Sequence, residues 1–172
     1  DSVASRGLGD VYKRQVEGDV ITGVVQQSYR DTRTVRVDLG SLEGIMPPAE
    51  QVPGEKYSHG RRIRVYVVAV RKEARGPQVI VSRTHPNLAR KLFAMEVPEI
   101  EQGVVEIKAL AREAGHRSKI AVVSHNPDVS AKGACIGPMG QRVRAVMHEL
   151  DEEKIDIIDW SEDPVSYTHL TL

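Results

Sequence analysis

The sequence predicts two consecutive domains, a small all-β barrel and then an α+β domain. Three observations lead there. Five β-branched or alternating apolar runs fall between residues 18 and 83, with no helical period among them. From His85 onward helical and strand-like patterns alternate instead. A length of 172 residues suits one to two domains at ~100–200 residues each.

The barrel elements follow in order. Val20-Ile21-Thr22-Gly23-Val24-Val25 is β-branched and apolar, a first strand. Thr34 to Leu39 alternates strictly, so Val35, Val37 and Leu39 share one face and Arg36 the other. Leu42 to Met46 is a third piece, stopped by Pro47-Pro48. Ile63 to Val70 is a long fourth strand, and Arg62 and Arg64 share its polar face. After a turn at Ala74-Arg75-Gly76-Pro77, Gln78 to Ser82 forms the fifth. Five short strands without a helix suit a closed barrel of the OB type.

At His85 the period changes. Leu88, Leu92 and Met95 recur at helical spacing, and Thr84 is placed to cap that helix. Val97-Pro98-Glu99 starts a short turn that Gly103 closes. Strands are expected over Val104–Leu110 and Lys119–Val123, and a short helix over Val129–Ile136. Gly137-Pro138-Met139-Gly140 interrupts. Gln141–Leu150 is a helix, because Val143, Val146, Met147 and Leu150 fall at i, i+3, i+4 and i+7. Lys154–Trp160 is a last strand. The order is helix, strand, strand, helix, helix, strand. The barrel is assigned to residues 16–84 and the second domain to 85–164, almost without a linker at Arg83-Thr84-His85-Pro86. Residues 1–15 and 165–172 fit neither pattern and are expected to be adaptor remnants, with disordered linker as the alternative.

Composition removes several classes. The formal net charge is zero, with 24 basic and 24 acidic residues. No apolar run approaches the ~18–20 residues of a membrane helix, so no membrane partner is expected. Asp1 to Gln15 lacks a signal-peptide core, so secretion is not expected. One cysteine and six scattered histidines make neither a disulfide nor a zinc site, and no metal or cofactor is expected. The neutral total hides segregation. Residues 17–84 carry +3 and residues 85–164 carry −4, yet Arg117 to Arg144 holds five basic residues against Asp128 alone. A basic face remains available.

That basic stretch contains the sharpest motif, Gly137-Pro138-Met139-Gly140. Paired glycines let a loop backbone approach a ligand without Cβ atoms in the way. A following helix start offers free N–H groups and a dipole that attract phosphate. Lys132, Arg142 and Arg144 add charge nearby, although Arg142 and Arg144 cannot both face one phosphate. The alternative is a tight helix–helix turn with no ligand, and spacing alone does not separate the two. No Lys-Ser/Thr pair follows Gly140, so this is not a nucleotide-triphosphate loop. No nucleophile, base and orienting group come together, so no catalytic residue is assigned and no enzyme is expected. On the barrel, Tyr29, Arg36, Arg62 and Arg64 are candidates for a single-strand-binding surface of stacking aromatics and positive charge. With few aromatics, an ordinary charged barrel surface is the stronger reading there.

Five strings carry a family resemblance: Glu17 to Val25, Val81-Ser82-Arg83-Thr84-His85-Pro86, Met95 to Ile100, Gly133 to Gly137, and Ile155-Asp156-Ile157-Ile158. Together they resemble the bacterial NusA transcription factors from about Val16 to Pro164, with Pro138-Met139 and Gln141 to Arg144 most similar to actinobacterial members. The resemblance implies an OB barrel of the S-one ribosomal-protein type followed by the first of two KH domains. It implies an RNA-binding elongation factor acting on pausing, intrinsic termination and antitermination by cytoplasmic RNA polymerase. Its partners would be single-stranded RNA and, in the full-length context, the polymerase; a monomer is expected. The family's loop maps onto Gly137, Pro138, Met139 and Gly140, here without the charged middle residue many KH loops carry. The N-terminal polymerase-binding domain and second KH domain are not represented, so a fragment is expected. Two other readings are weighed. One is an accessory module of an RNA-degrading enzyme, against which the barrel-before-KH order argues. The other is a protein-binding scaffold in which the glycine loop is only structural.

Overall fold

The computed structural model describes residues 17–26, 33–74 and 76–161. Tyr29 and the flanks assigned to 1–15 and 165–172 lie outside the described residues. The chain divides into two compact units, Asp1–Leu88 and Ala89–Leu172.

The first unit is a closed barrel of β1 (Val20–Gln26), β2 (Val35–Asp38), β3 (Glu43–Met46), β4 (Arg62–Glu73) and β5 (Gly76–Ser82). The order β1-β2-β3-β5-β4 returns to β1, and only β3 and β5 run parallel. Alternation fills the interior as expected. Val35, Val37, Ile63, Val65, Val67, Val79 and Val81 point in with Val25 and Met46, all buried. Each such side chain contributes ~1.5–3 kcal/mol when fully removed from water. Gly23 admits the close crossing of β1 over β2, since a Cβ there would lie 2.3 Å from Val37 Cγ1. The turn before β5 is tighter than expected: Gly76 and Pro77 already pair with Glu73 and Lys72, so both belong to the strand.

At the barrel's exit Arg83 is completely buried. Its guanidinium donates from Nε and Nη2 to Glu55 Oε1 at 3.0 and 2.7 Å, and from Nη1 to the Arg64 carbonyl at 2.9 Å. Arg61 reaches the same carboxylate at 3.5 Å. Thr84 does not cap the next helix, contrary to expectation. Pro86 takes the first helical position, so the cap falls on His85, whose Nδ1 accepts from the Asn87 N–H at 3.1 Å. The Thr84 N–H donates to Ser82 Oγ instead.

Helix α1 (Pro86–Glu96) buries Leu88, Ala89, Leu92 and Phe93. Met95, expected on that face, is 53% exposed. The buried stripe is centred between the 88/92 and 89/93 pairs, which leaves Met95 about a quarter turn to one side. A single turn, α2 (Pro98–Glu101), follows. The second unit is a three-stranded sheet in the order β6-β7-β8, with β6 (Val105–Glu113) antiparallel to β7 (Arg117–Ser124) and β8 (Lys154–Asp159) parallel to β7. The β6–β7 hairpin is longer than predicted because pairing continues through Glu113 and Arg117. The parallel return to β8 needs a crossover, supplied by α3 (Ala131–Ile136) and α4 (Gln141–Glu149). Helix α3 starts two residues later than expected, where Ser130 Oγ accepts from the Gly133 N–H at 3.1 Å.

One buried ion pair in this unit joins Arg112 on β6 to Glu153, just before β8. Glu153 receives Arg112 Nε at 3.0 Å, the Gly115 N–H at 2.8 Å and Ser118 Oγ–H at 2.8 Å. Asp151 and Glu152, both left-handed at φ 57° and 65°, turn the chain so that Glu153 points inward. Removing one member of such a pair strands the other charge. Glu153→Ala should therefore destabilise the α+β unit by ~3–5 kcal/mol in urea unfolding, against under ~0.5 kcal/mol for the exposed Glu152→Ala. Equal losses for the two variants would contradict the role of this pair.

Candidate nucleic-acid interface

The α3–α4 connection is built on two glycines in different conformations. Gly137 has φ 76° and ψ 171°, a region that only glycine occupies without strain, while Gly140 is left-handed at φ 73° and ψ 17°. Between them Pro138–Gly140 forms a 3-10 turn with Met139 at φ 57°. Pro138 is exposed, and Met139 is 86% exposed at the tip. No side chain caps α4; the 3-10 turn runs straight into it, and the Gln141 N–H is bonded to the Pro138 carbonyl.

The two arginines after the loop diverge, as two-residue spacing on a helix requires. Arg142 is half-buried and fastens the loop from behind. Its Nη1 donates to Glu99 Oε2 at 2.9 Å and to the Ala134 carbonyl at 2.8 Å. Its aliphatic stem fills the space beside Gly137, where a Cβ would sit 2.6 Å from Arg142 Cγ. Arg144 is exposed and folds back over the loop, donating from Nε to the Gly140 carbonyl at 3.2 Å and from Nη2 to the Met139 carbonyl. Lys132 is exposed on α3. Cys135 is buried behind the same helix; burial, with Glu99 adding, pushes its thiol up to about 11.

Beside the loop lies a cleft of about 500 Å3 that sequence reasoning missed. It is lined by Ile136, Val143, Ile155 and Ile157, with Lys119 and Asp156 among its polar members. Among the described residues β8 pairs only with β7, so its outer edge leaves alternate backbone N–H and C=O groups unpaired along this cleft. An apolar wall, an open strand edge and a phosphate-sized glycine loop can together hold a flat ring and its attached phosphate. The sequence showed only Ile155, Ile157 and Ile158 on its last strand. No local pattern tied them to residues of α3 and α4.

On the barrel, the register places Arg36, Arg62 and Arg64 on the outer face of β2-β1-β4. Arg36 stands opposite Gln26, Arg62 opposite Val24 and Arg64 opposite Thr22. Arg36 also pairs with Glu43 at 3.2 Å. The aromatic supply is smaller than its count. Tyr57 packs against the barrel core and accepts the Val52 N–H at 2.9 Å, and burial pushes its hydroxyl up to about 12. Tyr66 stacks on His85 with ring centroids 4.3 Å apart. On the far sheet edge His125 is bonded to Glu106 at 2.8 Å, which holds that carboxylate below its usual range. Among the described residues no cluster of three or more His, Cys, Asp or Glu could hold a metal. No helix among them is long and apolar enough to cross a membrane.

A closed five-stranded barrel followed by an α+β unit with helices joined through a glycine-bounded loop defines a barrel-and-KH protein. A family model described as the NusA-like first KH domain matches residues 83–160. Transcription termination/antitermination protein NusA of Mycobacterium tuberculosis is 55% identical over 97% of this chain and 49% of its own length. Its Bacillus subtilis counterpart is 52% identical over 95% of this chain and 44% of its own, and that of Thermus thermophilus 55% over 88% and 39%. The chain belongs to the NusA family, and it spans about half the length or less of these curated relatives.

Two outcomes test the loop geometry. Gly137→Ala should cost about 2–3 kcal/mol and Gly140→Ala about 1 kcal/mol, because only Gly137 lies in the glycine-only region with a side chain against it. Denaturant midpoints would check the order, and a reversed order would contradict it. Cys135 should resist a thiol reagent at about pH 8 in the folded chain and react promptly in denaturant.

Proposed function

We propose that this chain binds single-stranded RNA chiefly through its KH domain, residues 85–164. The contact surface is Gly137, Pro138, Met139 and Gly140, flanked by Lys132, Arg142 and Arg144. Arg144 and Lys132 supply exposed charge, and Arg142 holds the loop in shape. The barrel, residues 16–84, adds a weaker surface at Tyr29, Arg36, Arg62 and Arg64. In the full-length protein this activity serves an elongation factor. That factor contacts nascent RNA and cytoplasmic RNA polymerase to modulate pausing, intrinsic termination and antitermination. The chain acts as a monomer, without catalysis, metal or cofactor.

One observation carries the reading: the bare, glycine-bounded loop opens next to an apolar cleft along an unpaired strand edge. KH domains clamp about four nucleotides against such a loop. Neutralising about three to five phosphates would give a slope of log K against log[salt] of roughly −2 to −3.5. Duplex RNA of equal length should compete poorly, since its bases are not available to the cleft.

The decisive variant replaces Pro138 and Met139 together with Asp and keeps both glycines. Two carboxylates beside the phosphate path would each repel by about a kcal/mol or more at intermediate dielectric. Affinity should fall at least about tenfold, while stability should move by no more than ~0.5 kcal/mol. Intact folding with unchanged affinity would remove the loop from the interface and move it to Arg36, Arg62 and Arg64.

A further inference from the structure

Among the described residues only two large apolar side chains stand out in solvent, Met95 at 53% and Met139 at 86%. The other methionines are Met46, fully buried in the barrel, and Met147, half-buried on α4. Met139 also keeps a side chain at φ 57°, a conformation that glycine adopts without strain and other residues adopt at a cost. Its backbone is pinned, since Arg144 donates from Nη2 to the Met139 carbonyl and from Nε to the Gly140 carbonyl. The thioether therefore stands at the tip of a fixed turn. Accepting the RNA-binding reading above, on which this inference rests, we propose that Met139 is an oxidation site whose sulfoxide weakens RNA binding, so that the loop tip acts as a reversible redox switch.

The chemistry needs only an oxidant of the hydroperoxide class, such as hydrogen peroxide. The Sδ lone pair attacks one peroxide oxygen, so an S–O bond forms and the O–O bond breaks. Sulfur gives up two electrons, and the second oxygen leaves as hydroxide, which takes the remaining hydroxyl proton to become water. No protein base is required, so access of the oxidant to sulfur sets the rate. The change is reversible, because sulfoxide reductases return the thioether while two thiols are oxidised to a disulfide and water is released. Oxidation turns a flexible apolar contact into a polar one whose oxygen carries partial negative charge. That oxygen is an acceptor, and it brings no donor to a phosphate path. It acts in the same direction as a carboxylate at this position, with less than a full charge. The pinned backbone keeps the turn in place.

The test uses the intact 172-residue chain, hydrogen peroxide, and a labelled random-sequence single-stranded RNA pool read by fluorescence anisotropy. Peptide mass spectrometry should find the one-oxygen mass increase at Met139 before Met95, and at Met46 last. Affinity should fall at least about threefold in step with the oxidised fraction of Met139, short of the loss of about tenfold expected from two full carboxylates. The denaturant midpoint should not move. A mixture of the two methionine sulfoxide reductases, one for each sulfoxide epimer, should restore binding. Met139→Leu has its own starting affinity, and peroxide should leave that value where it was. In Met95→Leu the loss should be as large as in the unsubstituted chain. A chain fully oxidised at Met139 that binds as tightly as before, or a loss that persists in Met139→Leu, overturns the proposal. So does oxidation of Met95 ahead of Met139. The peroxide comparison on the unsubstituted chain needs no variant, so a folding defect cannot rescue it. If the untreated chain binds RNA and Met139 oxidation changes nothing, RNA binding stands and the switch falls. If the untreated chain binds no RNA, both fall.

Discussion

The conformation of Gly137 governs the end of the α+β unit where α3 meets α4. At φ 76° and ψ 171° the backbone turns out of α3 in a way no side-chain-bearing residue tolerates. The space left by the missing Cβ is taken by the stem of Arg142. Its guanidinium can then reach both Glu99 on α2 and the Ala134 carbonyl on α3. One glycine thus allows a single arginine to fasten three elements. The loop tip is held out from behind, and Met139 stays exposed. Any side chain at position 137 would push Arg142 away and loosen α2, α3 and α4 together.

Each unit also contains one buried Arg–Glu pair, and the two are satisfied differently. Glu153 has both oxygens bonded, by Arg112, Ser118 and the Gly115 N–H, so it closes the hairpin turn against the start of β8. Glu55 concentrates its bonds from Arg83 and Arg61 on one oxygen. Arg83 in turn holds the Arg64 carbonyl, joining the end of β5 to the start of β4. Buried ion pairs add little net stability but penalise misfolded alternatives in which either charge is stranded.

Basic and acidic side chains are segregated along the α+β unit. The basic stretch from Arg117 to Arg144 folds so that Arg144 overlies the loop and Lys119 reaches the cleft, while Asp151 and Glu152 sit beyond α4. A chain with no net charge can therefore present a local field favourable to a polyanion. On the barrel Arg36, Arg62 and Arg64 share a face. With Tyr57 committed to the core and Tyr66 to His85, that face offers charge more than stacking.

Much of this was legible from the sequence because it is local. Alternation over Val35 to Leu39 and Ile63 to Val67 set the barrel walls, since successive strand residues face opposite sides whatever surrounds them. The helical spacing of Val146 and Leu150 and the glycines at 137 and 140 were equally plain. Starts and ends were less so. Pro86 moved a cap from Thr84 to His85, and Met95 falls a quarter turn away from the buried stripe of α1. Only the tertiary structure decided what depends on residues far apart in the chain. Glu153 lies 41 residues from Arg112, Glu55 28 from Arg83 and Arg142 43 from Glu99. In a sequence each of these reads as one more surface charge. The cleft likewise exists only where β8, arriving parallel to β7, brings Ile155 and Ile157 against Ile136 and Val143. Periodicity assigns a residue to a face, but which partner meets that face is settled only when distant segments pack.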